Sequence, residues 1–216
     1  WRNIVLRRAL TLADHVVTNS VILNAYVIEE LFVSEEDLVV IPNPVTDGNE
    51  DESMRDEIFR RQFNISPGVT VIGTCGRLSK QKGFDILIKA MSILRAMPLS
   101  LIIFGEGRER AKLIDIADSL GIRDKIQFAG HREDARILFK NLNLYVQPSR
   151  FEGVPNAMLE AMSVGCPVVG TAVDGIVEFL EDERCGWLVL PESPEELAST
   201  IAKVCSADAD AKRRAL

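Results

Sequence analysis

The chain has 216 residues, of which 47% are apolar and 26% charged, enough for one sizeable α/β domain or one and a half small ones. Its formal net charge of −7 argues against a general nucleic-acid-binding protein, which needs a basic surface, but allows a local basic pocket for a phosphorylated small molecule. No apolar run approaches the ~20 residues of a membrane-spanning helix, and no signal peptide is visible in the sequence. The first residue is Trp rather than Met, so we expect the chain to be part of a longer protein.

The cysteines are widely spaced and form no C-x-x-C pair, and the two histidines lie far apart. This spacing excludes a recognisable metal-ligand cluster and predicts reduced thiols in a cytosolic protein. The residues concerned are Cys75, Cys166, Cys185, Cys205, His15 and His131.

Apolar, β-rich runs alternate with stretches of helical periodicity along the chain. The predicted strands cover residues 15–19, 38–42, 69–76, 99–105, 125–130, 144–149, 166–173 and 186–191. The predicted helices cover residues 84–97, 109–121, 133–142, 155–165, 176–182 and 194–205. Continuous apolar strands joined by crossover helices predict an α/β fold, a parallel sheet with helices on both faces. Such a sheet binds ligands at the carboxyl ends of its strands.

Residues 46–68 interrupt this alternation, because an acidic stretch containing Gly, Asn and Ser predicts a linker followed by a short helix. The preceding residues 1–45 hold only one βαβ unit, which is too little to bury a core of its own. We therefore predict a domain boundary near Pro44–Gly48, with the main domain beginning at about Gly68.

The first candidate site is the basic loop "GTCGRLSKQKGFD", residues 73–85. A strand ends around Gly76, the loop carries Arg77, Lys80 and Lys82, and Gly83 opens the next helix. Backbone N–H groups at a helix start together with a guanidinium and an ammonium would suit two linked phosphates. The loop lacks the G-x-x-x-x-G-K-[ST] pattern of a P-loop, and a solvated basic turn is the alternative.

Three further strand-to-helix turns carry weaker signals. The G-x-G of "FGEGRER", residues 104–110, is explained by a tight turn alone, and Asp174 in residues 172–180 by helix capping. In "AGHREDA", residues 129–135, His131 is a candidate general base or an ordinary loop residue. If this edge meets a ligand, we expect backbone groups around Arg132 to face a flat base.

Two carboxylates form the second candidate site. Glu152 follows the strand that ends at Ser149, and a helix is expected to begin near Pro155, with Glu160 about one and a half turns inside it. Both side chains can reach one crevice, where acceptor-only carboxylates would suit a ribose diol or a sugar. Gly153 and Gly165 would allow a ligand to approach the backbone closely. The alternative is that the two acids have structural roles only, one as a helix cap and the other as a helical Glu whose hydrogen bonds are made within the protein.

Together these segments resemble the donor-binding domain of a GT-B glycosyltransferase of family 4 (glycosyl transferases group 1). The resemblance covers nearly the whole chain, and its most specific part is the E-x7-E pair in a P-S-x-x-E-G-x-P setting. It rests on residues 76–90, 101–113, 126–134 and 148–180, and more weakly on 13–20 and 38–47. The resemblance implies a Rossmann-like domain over residues 68–216, a hinge and short helix over 46–67, and the last βαβ segment of the N-terminal acceptor domain over 1–45.

The resemblance also implies roles for individual residues. Arg77 and Lys82 would bind the donor diphosphate, Glu160 the ribose, and Glu152 would lie against the donor sugar, which makes Arg77, Lys82 and Glu152 the expected catalytic residues. The backbone of the loop from Gly153 to Ala157 would touch sugar and phosphate, and residues 130–134 would lie beside the base. The other expected donor-binding residues are Gly76, Gly105, His131, Arg132, Val154, Pro155 and Asn156.

Family members transfer a sugar, typically a hexose, from a nucleotide-diphosphate sugar to an acceptor hydroxyl with retention, and need no metal or other cofactor for the donor. The resemblance implies the same here, with a saccharide, a lipid-linked sugar or a small molecule as the acceptor. The hinge "IPNPVTD", residues 41–47, departs from the usual N-G-V-D. Most of the acceptor domain and the terminal helix are absent, so we expect this chain alone to transfer little or no sugar.

Two alternatives remain, a UDP-sugar epimerase-like or phosphorylase-like GT-B protein and a non-catalytic nucleotide-binding module. The "EGVPNAMLEAM" pattern favours the transferase over the first, and the intact Arg77, Lys82, Glu152 and Glu160 argue against the second. Arg2, Arg7 and Arg8 leave contact with the inner face of a membrane open, although a solvated helix face explains them more simply. The base, the sugar and the acceptor are not readable from the sequence.

Overall fold

The computed structural model of the protein describes Leu10 and residues 13–18, 27–29, 31–41, 53–180 and 186–206. Near the start of the chain, strands β1 (Val16–Thr18) and β2 (Leu38–Val40) pair in parallel. The predicted boundary at Pro44–Gly48, the three arginines near the start and Cys185 lie outside the described residues. In the described part of the chain, no helix is long and apolar enough to cross a bilayer.

The main unit is a six-stranded parallel sheet, and each of its strands lies within a run predicted from the sequence. Its strands are β3 (Thr70–Cys75), β4 (Leu99–Phe104), β5 (Ile126–Gly130), β6 (Leu144–Gln147), β7 (Val168–Thr171) and β8 (Trp187–Val189). They lie in the order β5-β4-β3-β6-β7-β8, and every neighbouring pair is parallel. The predicted parallel α/β sheet is confirmed.

Helices cover both faces of this sheet, as predicted. They are α1 (Ser53–Gln62), α2 (Phe84–Ile93), α3 (Arg110–Ser119), α4 (Ala135–Phe139), α5 (Asn156–Ser163), α6 (Asp174–Leu180) and α7 (Pro194–Ser206). The prediction for α2 extended four residues too far, to Met97. Pro98 follows directly, and a residue before proline is driven out of the helical region, so the last turn unwinds.

The two faces are separated by strand alternation. In β4, all six residues are buried, with Leu101 and Ile103 packed on one face and Ile102 and Phe104 on the other. Helices α2, α3 and α7 cover the first face, and α1, α4, α5 and α6 cover the second. A strand buried on both sides favours apolar residues at consecutive positions, and five of the six residues of β4 are apolar, with Ser100 as the exception.

Helix α1 contributes to this core. Phe59 is 2% exposed and packs with Phe63 at a ring distance of 4.9 Å. The aromatic contacts continue through Phe104 and Phe139 to Tyr145, with ring centroids 5.3–5.9 Å apart. Residues before Gly68 therefore share the core of the main sheet, while the division of the chain at residues 46–67 stays a prediction.

The strand order reverses between the central strands β3 and β6. From β3 the chain proceeds outward to β4 and β5, whereas from β6 it proceeds in the other direction to β7 and β8. The loops that follow β3 and β6 therefore leave the sheet on opposite sides and open a crevice between them. Both predicted sites, the basic loop and the E-x7-E pair, begin at these two strand ends.

Candidate active site at the switch point

The loop after β3 first continues along β4 and then turns over the strand end. Gly76 N donates to Phe104 O (2.9 Å) and Leu78 N to Glu106 O (2.9 Å). Leu78 is fully buried, so the intervening Arg77 points away from it and is exposed. A short 3₁₀ turn, Lys80–Lys82, then brings the Lys82 side chain back over Gly76. The predicted anion-binding loop thus presents two exposed cations, Arg77 and Lys80, and one folded-back cation, Lys82.

The loop after β6 is held by close backbone contacts on two sides. A Cβ at Gly83, the residue before α2, would lie 1.8 Å from Pro148 O. A Cβ at Gly175, in the first turn of α6, would lie 1.7 Å from Gly153 O. Only glycine permits both approaches. By contrast, no atom lies within 4 Å of a Cβ built on Gly153, so this residue borders open space.

The two loops meet through Lys82 and Glu152. Lys82 Nζ donates to Glu152 Oε1 at 2.5 Å, with 19% and 5% of the two side chains exposed. The same oxygen accepts hydrogen bonds from Ser149 Oγ (2.7 Å) and Gln147 Nε2 (2.9 Å). Three donors therefore converge on Oε1, while no described residue donates to Oε2, so this second oxygen keeps its capacity to accept hydrogen bonds.

Beneath Glu152 lies a row of buried polar side chains on one face of β6 and its extension. Tyr145, Gln147 and Ser149 are at most 1% exposed and follow the period of two along the strand. Tyr145 OH donates to Gln147 Oε1 (2.9 Å) and accepts from Cys75 N (3.2 Å). This contact orients the Gln147 amide so that its Nε2 faces Glu152. Burial raises the pKa of the Tyr145 phenol well above its ordinary value, so the hydroxyl stays a neutral donor.

Glu160 lies on α5, where it is half-buried. Burial raises the pKa of its carboxyl above the ordinary value, although the charge of Arg136 partly opposes this effect. Burial and the charge of Glu160 raise the pKa of the Cys75 thiol to about 11, against the opposing charge of Lys82. The charge of Glu160 therefore acts on the end of β3, whereas its sharing of one crevice with Glu152 stays a prediction. The protonated Cys75 thiol is not a nucleophile near neutral pH.

Arg150 ties the loop after β6 to its surroundings. It donates to both carboxylate oxygens of Asp85 (2.8 Å each), to Lys80 O (2.7 Å), and to Glu192. The fork geometry of a guanidinium suits such a bidentate contact. Burial alone would raise the pKa of Asp85, but the hydrogen bonds and charge of Arg150 outweigh it and hold that pKa below its usual value.

The remaining predicted residues lie along the same edge of the sheet. Gly105 N donates to Gly130 O (2.6 Å), so the ends of β4 and β5 meet beside Gly76. His131 is exposed beyond β5, and Arg132 pairs with Asp134 (2.5 Å). Helix α5 begins at Asn156, one residue after Pro155 where its start was predicted, with Val154 before it and Ala157 in its first turn. Their contacts with a donor stay predictions.

Sequence reasoning missed several residues that shape this site, namely Tyr145, Gln147, Arg150 and Gly175. It named Gly83 and Ser149 only as the start of a helix and the end of a strand, and missed their contacts in the site. A signal for three of them was present, since polar residues at positions 145, 147 and 149 interrupt an otherwise apolar strand with period two.

Within the described ranges, no group of three or more His, Cys, Asp or Glu side chains is placed to hold a metal ion. Metal independence stays a prediction.

Comparison with known proteins places the chain in a family. The family model for glycosyl transferases group 1 matches residues 55–215. An uncharacterized glycosyltransferase of Methanocaldococcus jannaschii is 36% identical over 151 residues, and the lipopolysaccharide core biosynthesis glycosyltransferase LpsE of Rhizobium meliloti is 31% identical over 147. Each match covers 68% of this chain. The matched region is 39% of the length of the Methanocaldococcus protein and 43% of the length of LpsE.

Solved structures share the fold over a still longer range. HepE of Anabaena, crystallised in complex with UDP and glucose, superposes with a TM-score of 0.91 at 26% identity, over 100% of this chain and 61% of HepE. The superposition confirms the predicted Rossmann-like α/β fold of a GT-B protein. The chain belongs to the glycosyl transferases group 1 family of glycosyltransferases.

Proposed function

We propose that this chain forms the donor-binding part of a retaining, metal-independent family 4 glycosyltransferase. Its donor is a nucleotide-diphosphate sugar, typically of a hexose, and the sugar passes to an acceptor hydroxyl. The observation that carries the proposal is the meeting of the two predicted sites, through Lys82 and Glu152, at the switch point of the sheet. The complexes of HepE with UDP and with UDP-glucose support a nucleotide-sugar donor.

The charges suit the two ends of such a donor. The exposed guanidinium of Arg77 and the ammonium of Lys82 are the cations that neutralise the diphosphate. Glu152 keeps Oε2 for a hydroxyl of the transferred sugar, and Glu160 accepts hydrogen bonds from the ribose diol. No described side chain donates a hydrogen bond to the Glu160 carboxylate, so its oxygens can accept from the ribose hydroxyls.

In the transfer step, the bond between the anomeric carbon and the diphosphate oxygen breaks, and a bond from the acceptor hydroxyl oxygen to that carbon forms on the same face. The hydroxyl proton passes to the departing diphosphate. Negative charge develops on this leaving group, so Arg77 and Lys82 stabilise the transition state more than the ground state. Glu152, held by Lys82, Ser149 and Gln147, fixes the sugar rather than acting as a nucleophile.

The decisive experiment is thermal unfolding of the 216-residue chain with UDP, GDP and ADP, each with Mg²⁺ and with EDTA. A nucleotide at 100 times its dissociation constant adds about 2.7 kcal/mol of stability, which raises Tm by roughly 5–10 °C for a chain of this size. We expect one nucleotide to give this shift in EDTA as well as in Mg²⁺.

Arg77→Ala should weaken that nucleotide by about ten- to a hundredfold, since a charge-assisted contact contributes about 1.5–3 kcal/mol. Arg95→Ala removes an equally exposed guanidinium outside the crevice and is the control. A nucleotide that binds Arg77→Ala as well as wild type would contradict the assignment of the diphosphate site. Binding without sugar transfer or epimerisation by the full-length protein would favour the non-catalytic module.

Transfer assays separate the enzyme classes. The chain alone is expected to bind donor but to transfer little sugar, because it spans only about two-fifths of its curated relatives. The full-length protein is expected to transfer the sugar with retention of the anomeric configuration, which NMR of the first product reports. Epimerised sugar nucleotide instead of a glycoside would identify the epimerase-like alternative.

A further inference from the structure

A cavity opens between the two loops that carry Lys82 and Glu152. It has a volume of about 700 Å³ and is lined by residues 77–81, by Arg108 and by Arg150 and Phe151. Arg77 borders both this cavity and the proposed donor site, whereas Lys82, Glu152 and Glu160 do not line it. We call it the cationic pocket, because four of its lining residues are cations and none is acidic.

The positive charge of the cationic pocket is a local feature, since the whole chain has a formal net charge of −7. Arg150 is already neutralised by Asp85 and Glu192 and forms part of the wall. For Arg77 and Lys80, no carboxylate of any described residue lies within ion-pair distance of the side-chain nitrogens. Arg108 lies 4.0 Å from Glu109, but 83% of its side chain is exposed, so water screens this contact. Three cations thus remain for a ligand.

An aromatic ring completes the pocket. Phe151 is 62% exposed, and its backbone oxygen accepts a hydrogen bond from Gln81 Nε2 (3.1 Å), which ties it to the basic loop. An exposed aromatic face beside polar groups offers a surface for the C–H face of a sugar ring. Cations and an exposed ring together suit a saccharide that carries a negative charge.

We propose that the cationic pocket binds an anionic group, a phosphate or a carboxylate, on the saccharide acceptor. Lys80 and Arg108 contact this group, and Phe151 contacts the sugar ring. The inference rests on the proposed function, because an acceptor hydroxyl must approach a donor whose diphosphate lies at Arg77. It specifies the acceptor as an acidic sugar, held in the cavity that Arg77 also lines.

The test is a calorimetric titration of the 216-residue chain, performed after its best nucleotide has been identified and added to saturation. Glucose 6-phosphate, glucuronate and glucose serve as probes, so that phosphate, carboxylate and neutral sugar are compared. We expect at least one acidic sugar to bind at least about tenfold more tightly than glucose, because charge-assisted contacts are absent from the neutral sugar.

Lys80→Gln and Arg108→Gln should each weaken binding of the acidic sugar by about three- to tenfold, and Arg108→Gln should leave nucleotide affinity unchanged. Lys203→Gln and Arg95→Gln remove exposed cations outside the pocket and should change neither affinity. Displacement of the acidic sugar by nucleotide would place it in the diphosphate site and overturn the proposal. So would equal binding of glucose, no acidic-sugar binding, or unchanged binding in both pocket variants.

Failure of the proposed function is distinguishable, because it appears in the preceding nucleotide titration. If no nucleotide binds, the acidic sugars are titrated without nucleotide. Binding that is lost in Lys80→Gln and retained in Lys203→Gln then supports the anion pocket, and binding insensitive to Lys80 overturns it.

Discussion

Lys82 and Glu152 come from opposite halves of the sheet, yet Lys82 Nζ lies 2.5 Å from Glu152 Oε1. Lys82 belongs to the loop after β3 and Glu152 to the loop after β6, the two strands between which the strand order reverses. Without ligand, the charges of Lys82 and Glu152 therefore neutralise each other. A bound diphosphate gives Lys82 a second anion, and the three donors on Oε1 keep Glu152 in place.

Lys82→Met should destabilise the free chain by about 2–3 kcal/mol and also weaken the nucleotide. The carboxylate of Glu152 is only 5% exposed, and removal of its charged donor leaves it with Ser149 and Gln147 alone. Urea unfolding measures the first effect. The matched control is Arg61→Met, which breaks an exposed pair with Glu57 and should cost less than about 1 kcal/mol. Equal losses of unfolding free energy in the two variants would show that the buried pair stabilises the fold no more than the exposed pair does.

We expect Gly153→Ala to affect ligand binding and Gly175→Ala to affect the stability of the fold. A Cβ at Gly153 meets no atom within 4 Å, so we expect a stability change within about 0.5 kcal/mol but weaker binding of a nucleotide sugar. A Cβ at Gly175 would lie 1.7 Å from Gly153 O, so we expect a loss of about 3 kcal/mol or more. Unfolding and nucleotide-sugar titrations of both variants provide the comparison. Undiminished donor binding by Gly153→Ala would remove this glycine from the proposed contact surface.

Glu160→Gln should stabilise the free chain at neutral pH while it weakens nucleotide binding by about ten- to a hundredfold. The folded-state pKa of Glu160 is raised by burial, so its charged form costs stability above that pKa. This cost disappears as the pH falls below the pKa of Glu in the unfolded chain, about 4.3. The stability advantage of Glu160→Gln over wild type disappears in the same pH range. Tm measured from pH 4 to 8 tests the sign, with the exposed Asp118→Asn as control. Parallel Tm curves for wild type and Glu160→Gln would contradict the assignment.

Asp85 should contribute to stability in the opposite pH range. Its pKa is depressed in the folded state by Arg150, so its contribution is present above the unfolded pKa of about 3.9 and is lost as the pH falls through the folded value. Asp85→Asn should lower stability at pH 7 by about 1–3 kcal/mol and flatten the acid limb of the stability curve. Asp115→Asn, which changes an exposed carboxylate, should leave both unaltered. Arg150→Met should reproduce the effect of Asp85→Asn, and a steep acid limb in either variant would count against the pair.

Much of the fold was readable from local patterns. The apolar run of β4 predicted a strand buried on both faces, because apolar residues at consecutive positions leave no polar face for solvent. In the structure all six residues of β4 are buried. The basic loop around Arg77 and the E-x7-E pair were also found in the sequence, since charged residues directly after apolar strands stand out against their surroundings. These features depend on neighbours along the chain, which a sequence displays in order.

Other features depend on neighbours in space. The order of the strands decided that the loops after β3 and β6 share a crevice, and that Lys82 and Glu152 neutralise each other. The need for glycine at position 175 follows from the carbonyl of Gly153, 22 positions away along the chain. The sequence by itself determined which residues could carry the chemistry, through composition and period. Only the tertiary structure decided which of them meet, because contacts between distant segments are set by long-range packing.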